Sequence, residues 1–399
     1  TNWLFGAPVG PMSATLQVEE LLNQQSVSGS ARPAYLAPWV SFLPLIGWPI
    51  GSLLLGIATI SRGDLALSNR RDLWEHLPQR LHVSVGLLAR LDNWSETLDA
   101  LPGAWQPLAR REFHRFTRST GVWLVGALVF VAAALSLSPR PVVRDALGSV
   151  VPLAALQNPI RLFGGAGILF GTFRSVISER DSGSIRVTAG TSASRTDILV
   201  GILVGRVTAY VIPVSLAVIF VCLLAVPQYG LVPFGALLGF IALTVVYLIA
   251  LAGLGVGISV LSRSQPVAGG LVLGVVILSF IWDTILNALY GAATGMQVSG
   301  FEPPADPLYL LLEWLPPISL FNVATNPLLG VPNSSGPASW VIIDLQPLVV
   351  TNTIVVRTVL GMDIPVWYLH PAMGLVGLLL WFAVPFGAAL MQFRRGDLG

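Results

Sequence analysis

The stretch SERDSGSIRVTAGTSASRTD, residues 178–197, decides how the chain is read. It gathers Glu179, Arg180, Asp181, Arg186, Arg195 and Asp197 with a run of small hydroxyl residues. Long apolar runs lie on both sides of it. Across all 399 residues 54% are hydrophobic and only 11% are charged, with a mean hydropathy of +0.75. Soluble domains carry about 25% charge. A chain this poor in charge cannot cover a water-facing surface, so lipid is its main solvent. The polar stretch then reads as a loop between two membrane spans.

Apolar runs at about 120–138, 157–177, 198–226, 232–261, 266–288 and 371–392 each approach the length a bilayer requires. They predict an all-α integral membrane protein with six spans. A further apolar run at about 38–60 lies in an N-terminal extension, 1–104, ahead of a membrane domain at 105–399. Residues 290–370, rich in Pro, Trp, Leu and Asn, form an external segment in this reading. Within it PLYLLLEWLPPISLF is expected to be an amphipathic helix resting on the membrane surface.

Every basic side chain is arginine, and 17 of the 22 arginines fall in 62–118, 174–206, the turn at 263 and the C-terminal tail. By the positive-inside rule that face is cytoplasmic, and it includes 178–197. Local signals give this loop a form. Ser178 is placed to cap a short helix with Glu179 and Asp181 in its first turn, and Gly190 fits its stop. Ser194 to Asp197 match a capping box that opens the third span. The expected result is a short helix held crosswise between two long ones.

Residues 62–118 carry nine arginines and a Leu73, Leu77, Leu81 stripe. Their end, WQPLARREFHRFTRSTG, sets Trp105, Ala109, Phe113 and Phe116 on one helical face. Arg110, Arg111, His114, Arg115 and Arg118 occupy the other. An apolar stripe opposite a basic face is the pattern of a helix lying in the membrane interface.

The stretch VISERDSGSIRVTAGTSASRTDILVGILVGR resembles the loop between the second and third spans of type-2 ABC exporter permeases. The matching positions are Glu179, Arg180, Ser182, Gly183 and Ser184, then Ser194, Arg195 and Asp197, then Gly201, Gly205 and Arg206. LARREFHRFTRS is similar to the family's N-terminal interfacial helix. The closing WYLHPAMGLVGLLLWFAVPFGAALMQFRRGDL is similar to its last span and tail. The likeness covers residues 106–399 and extends loosely to the permease partner of the nitrous-oxide-reductase maturation transporter. The chain departs at Ile202, where many members carry lysine, and residues 1–105 lie outside the family core. The resemblance implies a six-span permease with an N-terminal interfacial helix and, here, an extra hydrophobic segment. It implies a coupling helix seated on a separate ATPase subunit that binds the ATP and Mg, so this chain holds no cofactor. It also implies a second permease copy, a plasma-membrane location and outward transport of an unknown substrate.

The residue inventory excludes other chemistry. With no lysine there is neither a Schiff base nor a Walker A lysine in this chain, and Cys222 alone cannot form an intrachain disulfide. HExxH, CxxC and GxSxG motifs do not occur, and His76, His82, His114 and His370 are too scattered to suggest a metal site. Arg161 and Asp283 are charges expected near the outer ends of the second and fifth spans. They are candidates for a substrate path or for snorkelling to the interface. Asn333-Ser-Ser is a glycosylation sequon on the expected outer side. Two other functional classes stand beside the exporter: a secondary transporter or channel, and a membrane scaffold or assembly factor.

Overall fold

Proline, glycine and hydroxyl residues cut the apolar chain into helices. The computed structural model describes residues 103–137, 139–181, 194–296, 298, 303–345, 354–360 and 367–395, all within the unit Asp92–Gly399. Helix α1 (Gln106–Thr117) meets α2 (Thr120–Leu135) at a bend of 64°. Side chains hold that elbow. Thr117 Oγ1 donates to Phe113 O at 2.8 Å, and Trp123 Nε1 donates to Thr117 O at 2.7 Å. Then follow α3 (Pro141–Leu147), α4 (Val151–Pro159), a π-helical turn (Ile160–Gly164), α5 (Gly165–Thr172) and α6 (Ile177–Asp181). Pro141–Arg180 makes one 40-residue apolar run.

Three long helices come next: α7 (Arg195–Tyr229), α8 (Phe234–Leu261) and α9 (Gln265–Thr294). Helix α9 ends at Gly295, whose φ of +74° is left-handed and favours glycine. Four short helices, α10 (Pro307–Glu313), α11 (Pro317–Thr325), α12 (Ala338–Asp344) and α13 (Val356–Leu360), precede the last long one, α14 (Ala372–Arg395). Among the described residues the only β pairing is one isolated bridge, Ser334 with Val355.

Five helical runs are long and apolar enough to cross a bilayer, and two bent pairs raise the number to as many as seven. This is the all-α, multi-pass membrane architecture expected. The expected first span is α2, whose 16 residues reach the required length only together with α1. The second begins earlier than 157, because Pro141 and Pro152 start helices ahead of it.

Small residues set the packing. A Cβ on Gly257 of α8 would come 2.9 Å from Pro385 O of α14, and one on Gly126 of α2 would come 2.7 Å from Pro213 Cβ of α7. Helix backbones therefore touch, as membrane helices do where lipid offers no hydrophobic drive. In α7 and α8, half of the most apolar 18-residue window is buried, but in α9 only 11% is. Helix α9 is thus bound to the rest along a narrow strip.

PLYLLLEWLPPISLF does not form one surface helix. Pro316 and Pro317 split it into α10 and α11, bent by 105°, because the residue before a proline is pushed out of helical backbone. Neither piece alone is long enough to cross, and the bent pair is a broken span or a re-entrant hairpin. Trp314 and Phe321 are fully buried, and Phe321 packs on Tyr247 of α8 at 4.8 Å between ring centroids. A buried amide ties this hairpin to α4. Gln157 Nε2 donates to Thr325 Oγ1 and Asn326 Oδ1 at 2.8 and 2.9 Å, while its Oε1 accepts from Ala338 N at 2.7 Å. The sequon asparagine is likewise engaged: Asn333 Nδ2 donates to Leu369 O, and Ser335 is buried.

Candidate functional site

The loop at 178–197 stands on two stems, and each stem is anchored to other helices. The first stem is α6. Its start is fixed by Ser259 of α8, whose Oγ accepts from Val176 N at 2.9 Å and Ile177 N at 3.3 Å. Arg180 donates to Val260 O at 3.2 Å, and its guanidinium lies 6.0 Å from the Phe393 ring of α14. Ser178 does not cap a new helix, as the sequence suggested. Its N–H and its Oγ both donate to Arg174 O, so it sits within a continuing turn at the end of the second span.

The second stem is the start of α7. Here the predicted capping box is present: Asp197 N donates to Ser194 Oγ at 3.1 Å, and Ser194 N donates to Asp197 Oδ2 at 2.9 Å. Arg195 donates to the carbonyls of Phe393 and Arg394 at 3.0 and 3.1 Å. A cation there satisfies the free carbonyls that end α14 and matches its dipole. Arg394 in turn donates to Thr196 Oγ1 at 3.2 and 2.9 Å. The two stems thus share one neighbour, the end of α14.

A buried charge cluster joins the first stem to α1. Glu112, fully buried, accepts from Arg206 Nε of α7 at 2.9 Å, and Arg206 is 3% exposed. Arg206 also donates to Gly171 O at 2.7 Å and lies 4.6 Å from the Phe116 ring. Arg111 contacts Glu112 at 3.3 Å and pairs with Glu179 of α6. Arg115, exposed, completes the cluster at 3.9 Å from Glu112. Two carboxylates therefore hold three guanidiniums, and the innermost pair is sealed from water. Such a pair tolerates burial because its charges meet at hydrogen-bond distance and Arg206 also reaches Gly171 O.

Glycine makes this approach possible. Gly201 and Gly205 face α1, and a Cβ on Gly205 would come 2.3 Å from Ala109 O. The G-x-x-x-G-R pattern is thus a groove for α1 followed by the cation that clamps it. Ile202, fully buried beside that groove, sits where a charged lysine would have no water.

The sequence-predicted residues separate accordingly. Phe113, buried, and Phe116, half-buried, line the inner face of α1 with Ala109, while Arg111, Arg115 and Arg118 are exposed and Arg110 is intermediate. Glu179, Arg180, Ser194, Arg195, Asp197 and Arg206 come together around the stems. Asp181 ends α6. Ser182, Gly183, Ser184, Arg186 and Gly190 lie outside the described residues, as do the N-terminal apolar run at 38–60 and the Leu73–Leu81 stripe. Arg161 and Asp283 are far from this site along their spans.

Sequence reasoning missed Glu112, Ser259, Phe393 and Thr196. Only Glu112 left a signal: it is an acid one turn from Ala109 and Phe116, on the apolar face of a basic helix. The arrangement can transmit displacement: a push on either stem reaches α1, α7, α8 and α14 through hydrogen bonds and ion pairs.

Among curated proteins none matches the chain. Residues 106–398 match the family described as ABC-2 family transporter protein. With nearly three quarters of its length in that match, and with its multi-pass helical bundle, the chain belongs to the ABC-2 family of membrane transporter proteins.

Proposed function

We propose that this chain is the permease subunit of an ATP-driven exporter in the plasma membrane. It receives force at residues 178–197 from a separate ATPase that binds the ATP and Mg. A second copy of the permease completes the pathway. The observation that carries this reading is the anchoring of both loop stems. A connecting loop needs no such bracing, whereas a lever must be stiff where it meets the spans it moves. The closure of the ATPase would bias the bundle between two states through this two-sided attachment. Sparse cover along α9 supports a partner copy there, since a homodimer needs one self-complementary face. The absence of lysine makes a P-loop in this chain impossible, which fits an ATPase on another polypeptide.

The test is co-purification from membranes with reversal of charge at the first stem. Glu179→Arg with Arg180→Glu is expected to release the ATPase or abolish its stimulation while the permease stays folded. A double variant that keeps both the partner and full stimulation overturns the assignment. A folded chain that never captures an ATPase marks a scaffold instead.

A further inference from the structure

The second span is continuous in length but not in its hydrogen bonding. Pro141–Arg180 is one helical run, yet Pro159 lies inside it and residues Ile160–Gly164 widen into a π-helical turn before α5 resumes. Proline has no N–H, so the helical bond to the carbonyl of Ala155 cannot form. The π turn follows that gap directly, and such isolated turns are frequent at functional sites.

A neighbouring helix holds the break. Tyr247 of α8 is fully buried, and its Oη donates to the carbonyl of Arg161 within the turn at 3.0 Å. Gly165 makes room for that hydroxyl, since a Cβ there would collide with it. Proline, a π turn and a side chain set against the ladder are each causes of helix bending. Here all three meet within about two turns.

The two halves of the span are fastened to different parts of the bundle. Before the break, Gln157 bonds to Thr325 at the end of α11, to Asn326 in the turn after it and to Ala338 at the start of α12. After the break, Gly171 O accepts from Arg206 of α7 at 2.7 Å, and Arg174 donates to Gln265 of α9 at 2.7 Å. Ser259 of α8 then holds the N–H groups of Val176 and Ile177. This second half carries α6, and with it the first stem of the loop. Displacement of that stem against the end held by Gln157 has to be absorbed where the ladder is open.

We propose that Ile160–Gly164 is the hinge of the second span and that Tyr247 is the positioning residue that pins it. The loop half pivots there against the half held by Gln157, and the Tyr247 hydroxyl holds the turn's carbonyl at rest. The use of the hinge rests on the exporter reading, but its opening is testable without any ATPase.

The first experiment is hydrogen exchange, read by mass spectrometry, on the full chain in nanodiscs. Amides of 160–165 are expected to exchange at least tenfold faster than those of 153–158 and 168–172, because local opening there breaks fewer bonds. Tyr247→Phe keeps the ring and removes the hydroxyl. It is expected to speed exchange at 160–165 a further severalfold and to leave both flanks unchanged. Pro159→Ala, which restores an N–H, should slow exchange there instead. Exchange at 160–165 no faster than in the flanks, or a Tyr247→Phe effect spread evenly along the span, overturns the hinge. Should Tyr247→Phe fail to fold, the wild-type pattern and Pro159→Ala still decide. The second experiment adds a non-hydrolysable ATP analogue to the co-purified complex. Exchange at 160–165 should then change at least threefold while that of 168–172 holds. No change with the ATPase bound overturns the hinge as a moving part. A chain that exchanges as expected yet captures no ATPase would fault the exporter reading and leave the hinge standing.

Discussion

Arg206 Nε of α7 stands 2.9 Å from Glu112 Oε2 of α1, with the two side chains 3% and 0% exposed. The pair clamps the amphipathic helix onto the bundle. Removing one partner leaves a buried, uncompensated charge, so Glu112→Leu or Arg206→Met should each destabilise by about 3–5 kcal/mol. The apolar double variant Glu112→Leu with Arg206→Met should recover most of that loss. Thermal unfolding of the four proteins in detergent gives the cycle. Additive losses would show that the two side chains do not act as a pair.

Gly205 admits α1 because no side chain intervenes, so Gly205→Leu should lift α1 from α7. A single-cysteine reporter reads this directly. Cys222→Ser removes the native thiol, and Ala109→Cys places a new one at a fully buried position. A maleimide should label Cys at 109 slowly in the parent and at least tenfold faster with Gly205→Leu. Gly205→Ala should cost about 1–3 kcal/mol through overpacking.

Arg111 is 43% exposed, but its partner Glu179 is 6% exposed, so removing Arg111 strips a buried carboxylate of one cation. Arg111→Ala should therefore lower the melting temperature, though by less than loss of either member of the sealed Glu112–Arg206 pair. If the pair carries force between α6 and α1, the same variant should lower substrate-stimulated ATPase activity of the assembled complex severalfold. A variant that melts normally and stimulates normally would confine Arg111 to the surface.

Arg195 and Phe393 bring the last helix into the loop's support. Arg195→Ala frees two carbonyls at the end of α14, and Phe393→Ala removes the ring beneath Arg180. Each should raise protease cleavage within 182–193 severalfold in the full chain, and the double variant should do no more than the sum. Cleavage rates equal to the parent would show that α14 does not brace the stems.

Much of the architecture was legible along the chain because membranes impose local rules. About 20 apolar residues make a crossing. Ser194 and Asp197 announce a helix start three residues apart. The turns at 141 and 316 were read less well. Proline there starts or splits a helix according to what packs on it, and hydropathy does not record that. The hairpin at Trp314 looked like a surface helix because its leucines are as suited to lipid as to protein.

Sequence alone determined the solvent of this protein, the order and approximate extent of its spans, and the polar stretch that interrupts them, because each follows from residues close together in the chain. Tertiary structure decided that Glu112 meets Arg206 across 94 residues and that Arg195 finds the end of α14 across 198. A charge on a helix declares which face it occupies, but not which neighbour crosses there. In this bundle the crossing is set by glycines that let two backbones touch, and only then do the opposite charges come within reach.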